Sequence, residues 1–138
     1  MLDRIFLTVG DIKRWIAFYT ATLGPLGITQ RLDYNGRGGS PDHPDHRGFG
    51  AKGRMFFWLR AGNGFPGAVH VGFVADSKAM VDAAHAAALA AGAREIHRPG
   101  PQRHYDPRYY AAKVLDADGY SLEFVYKTWQ HGSWQNSQ

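Results

Sequence analysis

Hydrophobic and polar positions alternate along this chain with two periods, two residues for strands and about 3.6 residues for helices. Residues 2–9 alternate as in a strand, with Ile5, Leu7 and Val9 on one predicted face and Arg4, Phe6 and Thr8 on the other. Residues 11–23 carry apolar side chains at helical spacing, and Asp11 is suited to cap the start of this helix. Gly24-Pro25 is predicted to end it.

The pattern then predicts more strands before the middle of the chain. Residues 27–34 read as a strand, and residues 51–60 read as a hairpin that turns at Lys52-Gly53. Residues 35–49 are rich in Gly, Pro, Asp and His and are predicted to form a long loop. Glycine-rich residues 61–67 lead into the second half.

The second half repeats this order. A strand is predicted over residues 69–75, a helix over residues 77–91 behind an Asp76-Ser77 cap, and a short strand over residues 94–97. Two final strands flank a turn at residues 116–119, whose aspartates and glycine favour tight turns. A shift of 65 residues superposes these pairs of positions: Val9 on Val74, Asp11 on Asp76, Gly27 on Gly92 and Trp58 on Glu123.

A repeat of this kind predicts an α+β protein built from two strand-helix-strand-strand-strand modules. The modules span about residues 1–62 and 67–127 of one domain over residues 1–138, and residues 128–138 form a tail. The length suits one domain with a real core and is too short for two ordinary ones.

Composition narrows the function classes. The absence of cysteine excludes disulfides, thiolate metal ligands and cysteine nucleophiles. We expect a cytoplasmic protein with no membrane partner, since there is no basic leader with a long apolar stretch and no apolar run of membrane-spanning length. The net charge of +4 is scattered, so we expect no nucleic-acid partner; a mildly basic surface suits an anionic small molecule.

Glu123 is the most unusual residue of the predicted strands. A carboxylate is disfavoured in the middle of a strand and is rarely buried without a partner. Its neighbours Leu122 and Phe124 point the other way. Glu123 therefore either faces water or faces a cavity where a cation or a ligand meets it.

Three segments resemble the vicinal-oxygen-chelate superfamily, the group of glyoxalases, bleomycin-resistance proteins and extradiol dioxygenases. They are DRIFLTVGDIKRWIAFYTATLGPLG at the start, GAVHVGFVADSKAMVDAAHAAALAAGA in the centre and YYAAKVLDADGYSLEFVY near the end. The resemblance implies two βαβββ modules that form a curved mixed sheet around one cavity, with helices on the outer face. It also implies a homodimer, and Trp129 and Trp134 of the tail would either dock on the partner or be disordered.

In the resembled family a divalent metal is held by side chains from the first and last strands of each module. The matching positions here are Arg4, Trp58, His70 and Glu123. Only His70 and Glu123 are ligand types, and Arg4 stands where the family usually has histidine. A stable zinc, iron, manganese or nickel site needs at least three protein ligands. We therefore expect no metal, with Arg4 paired to Glu123; the alternatives are that Arg4 faces solvent, or that His70 and Glu123 hold a metal.

Other candidate residues lie on predicted loops. The resemblance places the segment that contains Arg103, Tyr105 and Tyr110 at the cavity mouth, where it would bind substrate together with Arg4 and Trp58; alternatively its tyrosines only cover the sheet edge. Residues 42–46, Asp-His-Pro-Asp-His, have metal-ligand side chains, although such loops are usually solvated. His85 is expected to be a surface or packed histidine of the second helix.

Two functions follow from these residues. The first is an enzyme of lyase, isomerase or dioxygenase type that acts on a small oxygen-rich or anionic substrate, with His70 and Glu123 as catalytic residues that move a proton. The second is non-catalytic sequestration of a small molecule, as in the bleomycin-resistance branch. The incomplete metal triad lowers the expectation of metal-dependent chemistry and leaves metal-free catalysis open.

Overall fold

The computed structural model describes residues 2–34, 46–102 and 108–127 of the 138-residue chain. The chain divides into two compact units, Met1–Phe65 and Pro66–Gln138. Each unit contains one four-stranded mixed sheet and one α-helix, in the same order along the chain. The predicted α+β class with two repeated modules is therefore confirmed. The predicted single domain and its one cavity stay predictions.

The first unit begins with a strand and a helix. β1 (Ile5–Val9) leads to α1 (Ile12–Leu23), where the Asp11 side chain accepts a hydrogen bond from the Arg14 backbone nitrogen at 3.3 Å, as predicted for an N-cap. The α-helix ends before Gly24-Pro25, as predicted, and a 3₁₀ turn follows over Gly24–Leu26. The apolar face of α1 is buried through Trp15, Phe18, Tyr19 and Leu23.

Three strands complete the first sheet. They are β2 (Gln30–Tyr34), β3 (His46–Ala51) and β4 (Arg54–Ala61), and the sheet order is β1-β4-β3-β2 with only β1 and β4 parallel. The hairpin turns at Lys52-Gly53 as predicted, with φ angles of 53° and 80° that match the twist of the flanking strands.

The second unit repeats this arrangement. β5 (His70–Val74) is followed by α2 (Lys78–Ala90), whose N-cap Ser77 accepts from the Met80 nitrogen at 3.1 Å. The remaining strands are β6 (Arg94–Pro101), β7 (Tyr109–Leu115) and β8 (Ser121–Lys127), in the sheet order β5-β8-β7-β6. α2 lies against β6, β7 and β8, so it covers one face of this sheet.

Several predicted boundaries are wrong. Residues 46–49 were predicted as loop and form most of β3, because pairing with β2 and β4 satisfies the backbone of a segment with little strand propensity. β6 extends to Pro101 rather than 97, with irregular pairing that tolerates its prolines. β2 begins at Gln30 rather than 27. Residues 35–45, 103–107 and 128–138 of the predicted loops and tail lie outside the described residues.

No helix within residues 2–34, 46–102 and 108–127 is both long and apolar enough to span a lipid bilayer.

Candidate functional site

One face of the second sheet collects polar and ionisable side chains. In the register of β5, β8 and β7, His70 lies opposite Ser121, Gly72 opposite Glu123, and Glu123 opposite Lys113. Residues opposite each other in neighbouring strands share a face. The alternate positions, Val71, Phe73, Leu122 and Phe124, are buried on the other face. We call the polar set the Glu123 cluster; its members are His70, Tyr109, Lys113, Ser121 and Glu123.

The carboxylate of Glu123 is at the centre of this cluster. Its side chain is only 10% exposed, and both carboxylate oxygens accept from the Tyr109 hydroxyl at 2.9 Å. His70 Nε2 lies 3.6 Å from Oε1, and Lys113 Nζ lies 4.0 Å from Oε2. These groups compensate a charge that would otherwise be costly to bury. Of the two interpretations of the sequence, the structure excludes a carboxylate that simply faces open water.

The two ring nitrogens of His70 have different partners. Nδ1 lies 2.7 Å from the Ser121 hydroxyl oxygen, while Nε2 faces Glu123. The imidazole is 47% exposed, so a molecule from solvent can reach it. A carboxylate beside the ring stabilises the protonated imidazole, and a hydroxyl on the other nitrogen orients the ring. This arrangement can accept a proton from a bound compound and return it.

The donor set does not fit a metal centre. Within residues 2–34, 46–102 and 108–127 there is no group of three or more His, Cys, Asp or Glu side chains that could hold a metal ion. Glu123 already accepts from Tyr109 at both oxygens, and the Lys113 ammonium, a cation, lies beside it. A dication would have to displace these contacts and would be repelled by the ammonium group.

Arg4 and Trp58, the predicted binding residues of the first unit, line a common cavity. It has a volume of about 270 Å³ and is lined by Asp3, Arg4, Phe6, His46, Met55 and Trp58. The guanidinium of Arg4 is 57% exposed and forms a salt bridge with the carboxylate of Asp3. The predicted pairing of Arg4 with Glu123 involves one residue of each unit and stays a prediction.

Tyr110 lies on the opposite face of β7 from the Glu123 cluster. Its hydroxyl donates to Asp82 of α2 at 2.6 Å, and the ammonium of Lys78 lies 5.5 Å from the ring centroid. Its neighbour Tyr109 is the tyrosine that meets Glu123. The sequence places Tyr109 only within the segment at the predicted cavity mouth, and it gives Lys113 and Ser121 no binding or catalytic role. Arg103 and Tyr105, also predicted to bind substrate, lie outside the described residues.

Two other histidines of the described residues, His85 and His46, have structural contacts. His85 of α2 is buried, and its Nε2 lies 2.7 Å from Glu95 Oε2, which ties the helix to β6. His85 is therefore a packed histidine, which is one of the two alternatives that the sequence predicts. His46, the last residue of the Asp-His-Pro-Asp-His segment, belongs to β3 and contacts the rings of Phe6 and Trp58. Residues 42–45 lie outside the described residues.

Contact with Asp82 predicts an unusual titration of Tyr110. The hydrogen bond to this carboxylate, with burial and the nearby negative charge, raises the pKa of Tyr110 from 10.0 to about 12. The folded state holds this proton more tightly than the unfolded state, so the bond stabilises the fold below pH ~10 and its contribution is lost as the pH rises to ~12. The difference between the ultraviolet titration curves of the wild type and Tyr110→Phe isolates the ionisation of Tyr110. Asp82→Asn should return its pKa towards 10.0, and a wild-type value already near 10.0 would contradict the assignment.

Comparisons with known proteins agree with this fold. A sequence model of the Glyoxalase/Bleomycin resistance protein/Dioxygenase superfamily matches residues 1–124. A search of curated proteins found no match.

Several solved structures share the architecture. A glyoxalase/bleomycin resistance protein from Albidiferax ferrireducens T118 aligns with a TM-score of 0.76 at 23% identity, covering 92% of this chain and 99% of that one. A glyoxalase/bleomycin resistance protein/dioxygenase family enzyme from Burkholderia phytofirmans PsJN gives 0.65 at 21% identity, covering 90% and 96%. The fosfomycin resistance protein FosX from Listeria monocytogenes gives 0.64 at 18% identity, covering 93% of each chain. At these identities the likeness shows the fold alone. With the family match over residues 1–124, the chain belongs to the Glyoxalase/Bleomycin resistance protein/Dioxygenase superfamily.

Proposed function

We propose that this protein binds a small, oxygen-rich anionic compound and moves a proton on it, with His70 and Glu123 as the catalytic pair. One observation carries this proposal: a nearly buried carboxylate lies beside an exposed imidazole on a polar sheet face. Buried carboxylates are uncommon unless a function or an ion pair retains them. Superfamily membership supports a fold that binds small molecules and leaves the reaction open.

Each member of the Glu123 cluster has a role in this proposal. His70 takes the proton at Nδ1 from a carbon next to a carbonyl group, with the Ser121 hydroxyl turning away from this nitrogen, because its ring is the exposed member of the pair and its Nε2 faces Glu123. Glu123 stabilises the imidazolium that forms, and the Tyr109 hydroxyl holds the carboxylate in place. Lys113 adds a positive charge that favours the enolate oxygen left on the compound.

The charge of this sheet face suits an anionic compound. Lys127 lies opposite Tyr109 in the register, with its ammonium 4.6 Å from the centroid of the Tyr109 ring. Lys113 and Lys127 thus contribute two positive charges to a face on which Glu123 contributes one negative charge. An excess of positive charge attracts an anion and slows the approach of cations.

Solvent deuterium exchange tests the proposal. The protein is incubated in D₂O with dihydroxyacetone phosphate, hydroxypyruvate and 2-oxobutanoate, and proton NMR follows the loss of each C–H signal. We expect enzyme-dependent exchange that falls by at least ~100-fold in His70→Gln, the usual contribution of a positioned base. His85→Gln is the matched control, since His85 also pairs with a glutamate but lies in the α2–β6 contact.

The same assay separates the two function classes. Sequestration of the bleomycin-resistance type predicts saturable binding with no exchange in the wild type. Absence of both binding and exchange across the three compounds would contradict the proposal. If the reaction is metal-free, exchange should survive extensive chelator treatment. The metal content of the treated protein should then be well below one ion per chain.

A homodimer and a cytoplasmic location, expected from the resemblance and the composition, belong to this proposal. Superfamily members often form dimers, and sedimentation velocity distinguishes a dimer of this chain from a monomer. A stable dimer interface of standard size would bury about 800 Å² of each chain.

A further inference from the structure

We infer that the cavity of the first unit binds a planar aromatic anion, such as an aromatic carboxylate, with Phe6 as the stacking surface and Arg4 as the partner of the negative charge. This inference goes beyond the proposed proton transfer, because every residue that carries it belongs to the first unit. It gives a ligand class to Arg4 and Trp58, which the sequence predicts to bind substrate.

The size and lining of the cavity suit a small flat molecule. Its volume of about 270 Å³ is close to the lower end of ordinary ligand pockets and suits one or two fused rings. Three of the six lining side chains, Phe6, His46 and Trp58, carry planar rings, and Met55 adds a thioether. Thioethers and aromatic faces both make favourable contacts with aromatic rings.

The three rings form a pre-arranged wall. Phe6 and Trp58 stack with their centroids 6.0 Å apart and their planes at 21°, and His46 meets Phe6 edge-on at 5.3 Å. Trp58 rests directly on β3, because a Cβ at Gly48 would lie 2.7 Å from its ring. The indole therefore has little room to move, whereas Phe6 is 38% exposed and offers its surface to a ligand. A restrained indole behind Phe6 lowers the ordering cost of binding.

The charges beside the rings favour an anion over a cation. Asp3 is the acidic residue of the lining, and it is shared by two guanidinium groups, those of Arg4 and Arg54. A third guanidinium, from Arg60, lies 5.6 Å from the centroid of Phe6. Three positive charges against one negative charge give the surroundings of the cavity a net positive charge. Aromatic faces alone would also attract cations, but this positive charge opposes their binding. Arg4 is exposed, and its planar guanidinium matches a carboxylate.

Three probes separate shape from charge. We expect 2-naphthoate to bind at least ~10-fold more tightly than 2-naphthalenemethanol, which has the same rings without charge, and than cyclohexanecarboxylate, which has the charge without a flat ring. Isothermal titration calorimetry gives the three dissociation constants at low salt. Equal affinity for naphthoate and its alcohol would refute the anion preference, and equal affinity for cyclohexanecarboxylate would refute the aromatic preference.

Two variants locate the ligand. Arg4→Gln should weaken naphthoate binding several-fold and leave the alcohol unaffected, with part of the anion preference kept by Arg54 and Arg60. Folding should be retained because Arg4 is exposed. Phe6→Leu should weaken both aromatic probes by about 5-fold or more through the lost stacking surface. Phe65→Leu, the same substitution at a 90% exposed position of this unit, is the matched control. Naphthoate binding that neither Arg4→Gln nor Phe6→Leu weakens would place the ligand elsewhere and overturn the inference.

Discussion

Replacing Glu123 with glutamine is expected to lower the rate of proton exchange by at least ~100-fold, while the protein stays folded. Glutamine has nearly the same shape, and its amide oxygen can still accept the hydrogen bond that Tyr109 now gives to the carboxylate. The change removes the negative charge that lies 3.6 Å from His70 Nε2, the nitrogen that faces Glu123. Lys113 loses an ion pair but is partly exposed, so water can solvate it. The loss should therefore appear in the rate rather than in the stability.

Glu95→Gln provides the matched control for this variant. Glu95 also pairs with a histidine in the second unit, and its oxygen lies 2.7 Å from His85 Nε2. That pair joins α2 to β6 and is not a member of the Glu123 cluster. The exchange rate of Glu95→Gln should equal that of the wild type. If Glu123→Gln exchanges as fast as the wild type while binding the same compound, Glu123 has no role in proton transfer and the proposed function is wrong in that step.

Replacing Gly50 with alanine is expected to reduce the free energy of unfolding by about 3 kcal/mol or more, at the upper end of the usual cost of overpacking. A Cβ at this position would lie 1.8 Å from the backbone carbonyl oxygen of Arg54, a distance that no rotamer change can relieve. Gly50 is at the point where the register of β3 against β4 shifts, which brings the two backbones close together. The hairpin would have to open for alanine to fit.

Gly72→Ala is the comparison for this prediction. Gly72 also lies inside a strand, but the nearest atom to its added Cβ would be Glu123 Oε1 at 3.9 Å, an ordinary contact. Urea denaturation of both variants should show a large loss for Gly50→Ala and a change within about 1 kcal/mol for Gly72→Ala. Equal stability of the two variants would mean that the strands do not approach each other at Gly50 as described.

Local chemistry explains the parts of the fold that the sequence predicts. Asp11 and Ser77 cap their helices because each side chain accepts from a backbone nitrogen three residues later. Asp116 forms its turn by accepting from the nitrogens of Asp118 and Tyr120, at 3.0 and 2.9 Å. Such contacts join residues close in sequence, so the residue types alone reveal them.

Strand pairing explains what the sequence analysis missed in the candidate site. Alternation correctly puts Glu123 on the other face of β8 from Leu122 and Phe124. The partners of Glu123, however, come from β5 and β7. The turn at residues 116–119 pairs Leu115 with Ser121, and counting outwards from it places Lys113 beside Glu123. The same count puts Tyr109 on the face of Glu123 and Tyr110 on the other face of β7. The composition of the segment does not reveal this difference.

The sequence by itself determined the repeat, the two helices, the phase of β1 and β8, and the family. These depend on periodicity and on short-range hydrogen bonds, which can be predicted from each segment without knowing what lies next to it in space. Only the tertiary structure decided that His46 begins a strand, that Glu123 meets Tyr109 and Lys113, and that Gly50 cannot carry a side chain. Each of these depends on which backbone lies alongside and on the register between the two strands, and the residue pattern of a single strand contains neither.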